Sequence, residues 1–139
     1  MAKYSAAIRN LMLDAIDASA NTGYLRFYDG TQPSTPETAL SGNTLLAECT
    51  IAADSMASAS AGSKAFNAIG ADTSANASGT CTFARLFASN GTTALIDFTV
   101  GATGSGADIT FATVSFVAGA NIGVSSLTIA IPATNIANA

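Results

Sequence analysis

From Gly23 onward, apolar side chains recur at alternate positions in short runs, and Gly, Asn or Pro closes most of them. A period of two marks strands with one face turned to a core. Tyr24–Tyr28 places Leu25 and Phe27 on one face and Tyr24, Arg26 and Tyr28 on the other. In Leu45–Ile51 the shared face carries Leu45, Ala47, Cys49 and Ile51. Lys64–Ile69 is a shorter run. Thr80–Ala88 holds Phe83 and Phe87 on one face, and Thr93–Val100 alternates Ile96, Phe98 and Val100. Between these two, Asn90-Gly91 is the strongest hairpin signal in the chain. Ile109–Val117 and Ile122–Ile131 add two more runs, and Pro132 stops the last. Turns at this spacing predict a mainly β chain of about seven to eight strands, an antiparallel β-sandwich or jelly roll.

The one exception to the period of two precedes Gly23. Residues 5–19 predict a helix with Ile8, Leu11, Met12, Ala15 and Ile16 on one stripe and Arg9, Asn10, Asp14 and Asp17 mostly off it. Ser5 is a suitable N-cap, and Gly23 suits a left-handed position after the end. Such a helix either closes one side of the β core or docks as an arm on a neighbouring subunit. The length favours one domain over 1–139. Its expected parts are a helical arm (1–22), a β-sandwich (23–132) and a tail (133–139). Thr31–Thr38 contains two prolines and reads as a loop, as do the small-residue stretch Ser55–Ser63 and the polar run Gly70–Gly79.

Charge is what sets this chain apart. Five cations and nine carboxylates among 139 residues leave few solvated groups to cover the outside of a lone domain, where about a quarter charged is usual. Neighbouring protein is therefore expected to cover part of the surface. Lys3, Arg9, Arg26, Lys64 and Arg85 are scattered, whereas binding to phosphates needs clustered cations. Direct contact with nucleic acid is not expected. No apolar stretch of membrane-spanning length occurs, so no membrane partner is expected. Arg9, Asn10, Asp14 and Asp17 break up what would be the core of a signal peptide, and a chain folded in the cytosol is the expectation.

Chemistry is weakly represented. Without histidine there is no Ser-His-Asp or Cys-His pair. Glu48 and Asp97 are the carboxylates to test for glycosidase geometry, against the plainer reading that they pair with Arg26 or Arg85. Arg85 shares a register with Phe83 and Phe87, and Asp97 across the hairpin is its natural partner, either within the subunit's core edge or at a subunit contact. Cys49 and Cys81 read as two buried apolar residues rather than a disulfide. Asp29-Gly30 and Asp72-Thr73-Ser74 lack the ligand density of a calcium loop, and Gly101–Gly106 lacks the Lys-Ser/Thr of a phosphate loop. No catalytic residue, cofactor or metal is expected, and the chain is not expected to be an enzyme.

The N-terminal helix, the run Leu25-Arg26-Phe27-Tyr28-Asp29-Gly30-Thr31-Gln32-Pro33 and Leu45-Leu46-Ala47-Glu48 together resemble a group of small structural proteins of tailed bacteriophages and prophages. So do Phe66–Ala75 and Gly79–Arg85, and the likeness covers most of residues 8–130. The Tyr-Asp-Gly-Thr-Gln-Pro run is its distinctive part. The resemblance implies a virion component, most concretely a decoration or cement protein on the capsid exterior, assembled in the host cytoplasm. Its implied partners are the major capsid protein and further copies of itself, as a homodimer or homotrimer. A tail- or fibre-associated virion protein, or a carbohydrate-binding β-sandwich using Tyr24, Tyr28 and Asp29 for host attachment, are the alternatives. The resemblance does not fix the contact residues. From the residues themselves, the candidate assembly contacts are Ile8, Leu11 and Met12 on the helix, Tyr24, Tyr28, Gln32 and Pro33 around the first loop, and Met56 in the second.

Overall fold

The computed structural model describes residues 2–134. One helix, α1 (Ala6–Ala20), precedes nine strands. They are β1 (Tyr24–Tyr28), β2 (Leu45–Thr50), β3 (Ser63–Ala65), β4 (Gly79–Thr80), β5 (Phe83–Phe87), β6 (Ala94–Ala102), β7 (Ile109–Phe111), β8 (Ser115–Phe116) and β9 (Thr128–Ala130). A five-stranded sheet runs in the order β2-β1-β5-β6-β7, and two ribbons pair β3 with β9 and β4 with β8. The chain is mainly β, as its alternation predicts.

The expectation of purely antiparallel pairing fails at one edge, and the sheet is mixed. β7 runs parallel to β6, with Val100 opposite Ile109. A parallel neighbour normally needs a long crossover. Here the loop doubles back at Gly104 and Gly106, both at positive φ, and Asp108 fixes the return. Its Oδ2 accepts from the Thr99 N–H at 2.9 Å, and its own N–H donates to Thr99 Oγ1 at 2.9 Å. The longer expected strands also shorten. Lys64–Ile69 contributes only β3, Ile109–Val117 splits into β7 and β8, and Ile122–Ile131 contributes only β9. These runs are apolar because they pack on the core, not because they pair along their whole length.

The main core lies on one face of the sheet. Leu25, Phe27, Ala47, Cys49, Ala84, Leu86, Phe98 and Val100 meet Ile109, Phe116 and Leu127 there, and Phe27 packs against the rings of Phe111 and Phe116. Cys49 and Cys81 are buried free thiols, as expected. Burial pushes both thiols up, Cys81 to about 12, which keeps them protonated and inert at neutral pH.

α1 begins as the sequence predicts, with Ser5 Oγ accepting from the Ile8 N–H at 3.1 Å. Its end differs. Thr22, not Gly23, takes the left-handed conformation, at φ 57°. Glycine is required at position 23 for close approach instead. A Cβ there would run into the carbonyl oxygens of Phe87 and Ala20, so only glycine lets the helix exit pass this near to β5. The tail expected at 133–139 falls largely outside the described residues, apart from the Tyr4 N–H bond to Ala133 O at 2.7 Å.

Candidate functional site: a charge-free helix face

Two surfaces decide where this chain puts its charge, and the first is the sheet face opposite the main core. There Arg26 sits in register with Glu48 on β2 and with Arg85 on β5, and Arg85 sits in register with Asp97 on β6. The result is a row across four strands, Glu48–Arg26–Arg85–Asp97, whose charges sum to zero. Arg26 Nε lies 2.6 Å from Glu48, and Arg85 reaches both Asp97 oxygens, at 2.6 and 2.9 Å. The plainer reading of the two carboxylates thus holds, with Arg85 paired inside its own subunit. Glu48 and Asp97 are three strand spacings apart, about 14 Å, beyond the roughly 5–9.5 Å that a glycosidase pair requires.

Rows of aromatics flank the charges. Tyr28 stacks on Phe83 with ring centroids 5.4 Å apart, while the Arg26 guanidinium lies over Tyr24 at 5.1 Å and Phe87 at 4.8 Å. The first loop closes over this face as a strap. Arg85 donates to Thr38 O at 2.9 Å and Thr35 O at 3.3 Å, and Leu40 packs on the cluster of Tyr28, Phe83 and Phe87. Every strand-β5 residue is buried, Ala84 and Leu86 by the main core and Phe83, Arg85 and Phe87 on the strapped face. Hydrogen bonding to Asp97 raises the Arg85 pKa despite burial, and burial raises that of Tyr28.

The second surface is α1, and of the two mountings the sequence leaves open it takes the one that leaves Ile8, Leu11 and Met12 exposed. The edge turned to the protein is the polar one, around Arg9, Asn10, Leu13, Asp17 and Ala20. Arg9 Nη1 donates to Ala61 O at 3.1 Å and Ile131 O at 3.2 Å. Asn10 Oδ1 accepts from the Gly62 N–H at 2.9 Å. These contacts grip a two-residue hairpin turn, Ala61-Gly62, both at positive φ and closed by reciprocal Ser60–Ser63 bonds. Lys64, only 5% exposed, follows on β3 and lies between Asp14 at 2.6 Å and Asp17 at 2.9 Å. The Ser55 hydroxyl donates to Asp17, and Asn21 Oδ1 accepts from the Ser55 N–H at 2.9 Å. Burial alone would push the Asp17 carboxyl up, but the Ser55 and Lys64 hydrogen bonds and the lysine charge together hold it below its usual value. Asp14 and Asp17 raise Lys64.

Most of the apolar stripe faces outward, with Ile16 half-buried beside β6. Leu11 is 62% exposed, Ile8 42% and Met12 36%. Ala7, Ala15, Ala18 and Ser19 complete that face, and none carries a charge. Of the other candidate contacts, Tyr24, Gln32 and Pro33 are half-buried. Tyr28 and Met56 leave the candidate surface: Tyr28 is 5% exposed beneath the strap, and Met56, within the second loop, is 3% exposed and bridges to Phe66. The apolar stripe alone does not point to the latch residues Asn10, Asp14, Asp17, Ser55 and Lys64. Their signal is an acidic i, i+3 pair, Asp14 and Asp17, in a chain with one lysine in its β region.

Four of the five cations are thus engaged inside the chain, leaving Lys3 exposed without an ion pair among the described residues. No group of three or more His, Cys, Asp or Glu that could hold a metal gathers among the described residues, and no helix there is long and apolar enough to cross a membrane. No protein-family model, curated protein or solved structure matches the chain.

Proposed function

We propose that this protein is a structural component of a tailed-phage particle, a decoration protein that binds the outer surface of the capsid and strengthens the junctions between capsomers. One observation carries the reading: α1 engages Asp14 and Asp17 with Lys64 in a polar latch and presents Ile8, Leu11 and Met12 to the outside. An uncharged, apolar face can meet another protein without the desolvation cost of buried charge. The resemblance to virion proteins supplies the setting. The mechanism is mechanical. Each contact contributes a few kcal/mol after the cost of association, and many copies act together on one shell.

The test uses purified tailed-phage heads with and without the protein, imaged by electron microscopy and heated until DNA is released. Added wild-type protein should decorate the heads and raise the release temperature, and Leu11→Glu should do neither. Density on tails alone would move the protein to the alternative location, and no density anywhere would end the proposal.

A further inference from the structure

We infer that the outward face of α1 is covered by the same face of a second copy, with the two helices antiparallel about a two-fold axis passing between Leu11 and Met12. The inference rests on the assembly role proposed above and assigns this face to the pairing of copies, so that the pair meets the capsid through its remaining surface.

Three observations point to a copy of this chain. The first is shape. Antiparallel pairing about that axis sets Ile8 opposite Ala15 of the other copy and Tyr4 opposite Ser19, so large residues meet small ones. Between α1 and β6 lies a cleft of about 230 Å³ lined by Ala15, Ile16, Ser19, Leu95 and Ile96. Ile8 of the second copy arrives at its mouth. Knob and hole therefore sit on one helix about two turns apart, which is the self-complementarity an isologous contact needs.

The second is charge. A chain of net charge −4 should repel its copy. Here Lys64 pairs with both Asp14 and Asp17 and offsets one of their two charges, and the facing positions Ala7, Ile8, Leu11, Met12, Ala15, Ala18 and Ser19 are neutral. The third concerns the ends of the helix. α1 has no acidic residue in its first turn and no basic residue in its last, so its dipole is not offset by its own side chains. In the antiparallel pair the two dipoles oppose, and the exposed Lys3 of each copy reaches the C-terminal turn of the other near Ala20.

The experiment combines sedimentation with disulfide trapping on the full chain. Wild-type protein should sediment at twice its 13.8 kDa mass as concentration rises, and Leu11→Glu should stay at 13.8 kDa with an unchanged circular dichroism spectrum. Under mild oxidation, a mixture of Ile8→Cys and Ala15→Cys chains should form covalent dimers at least tenfold faster than either variant alone. Cys49 and Cys81 are buried and should not compete. A wild-type chain monomeric at every concentration overturns the inference, as does faster trapping of Ile8→Cys with itself. Decoration of heads by a monomer that needs Leu11 would overturn the pairing and leave the capsid role standing. A dimer that binds no head would do the reverse.

Discussion

The strapped face of the sheet and the outward face of α1 exchange the roles usually given to inside and outside. Beneath the strap lie Arg85 and Asp97, with the loop carbonyls that complete the arginine's bonds, and Arg26 and Glu48 continue the charged row into partial exposure. On α1, Ile8, Leu11 and Met12 stand in solvent, while the charged side chains are bound into the latch beside buried Leu13 and Ala20, with Asp14 at its exposed edge. A buried pair resists the loss of one partner strongly while adding little net stability over an apolar pair. What such pairs supply is placement: Arg85 fixes where the strap crosses, and Lys64 fixes which side of α1 turns out. The exposed stripe is thus a consequence of the latch. With so few charges in the chain, those set inside are missing from the surface.

The largest effect should come from breaking the charged row at its buried end. Asp97→Ala leaves Arg85 without its partner and should cost about 3–5 kcal/mol in urea unfolding. Replacing both residues, Arg85→Met with Asp97→Leu, should recover most of that loss. A double variant as unstable as Asp97→Ala would mean that the bonds from Arg85 to Thr35 and Thr38 matter more than the pair.

Next comes the latch. Lys64→Met removes the cation between Asp14 and Asp17 and should cost about 1–3 kcal/mol, with faster hydrogen exchange across residues 6–20 than in the sheet. Unchanged protection of α1 would show that Leu13, Ile16 and Ala20 hold it without the ions.

The pH dependence separates the two regions further. Asp17 is held below its ordinary value of 3.8 in the fold, so its contribution is present above that pH and is lost as pH falls through the lower folded value. Lys64 is raised above 10.5, so its contribution is present below that pH and is lost as pH rises through the higher folded value. Cys81, raised from 9.0 to about 12, favours unfolding progressively as pH climbs through that window. α1 should therefore loosen in acid before the sheet melts, as seen by residue-resolved exchange as pH falls below 3.8. Simultaneous loss of both would contradict a separate latch.

The smallest effect on stability should come from the most exposed residue. Leu11→Glu should shift unfolding by no more than about 0.5 kcal/mol, because it touches solvent in the isolated chain. A destabilisation of several kcal/mol in the monomer would mean that the stripe is a core face.

The alternation of side chains in the strands is sufficient to locate β1, β2, β5 and β6, and the Arg85–Asp97 pair follows from the register across Asn90-Gly91. Long central strands are legible because one residue in two is fixed by the core. The parallel β7 is not, since it depends on Asp108 reaching Thr99, a contact with no periodicity. Helix periodicity locates α1 and its stripe but not its orientation, because both of its faces have partners to offer. Burial of an apolar stripe is the usual winner, and here the polar anchors Arg9, Asn10, Asp14 and Asp17 compete with it. Tyr28 and Met56 fail as surface residues for a related reason: the strap covers Tyr28, and the second loop tucks Met56 in through its bridge to Phe66, and the sequence pattern encodes neither path.

Hydroxyl-radical footprinting across a concentration series tests the central claim, that α1 docks by its charged edge and turns its apolar stripe outward. In dilute protein Leu11 and Met12 should be oxidised readily while Met56 and Leu13 stay protected, and labelling of Leu11 and Met12 should fall as concentration rises. Leu11 and Met12 protected even in the dilute monomer, with Leu13 labelled in their place, would show the helix docked the other way round and contradict the account.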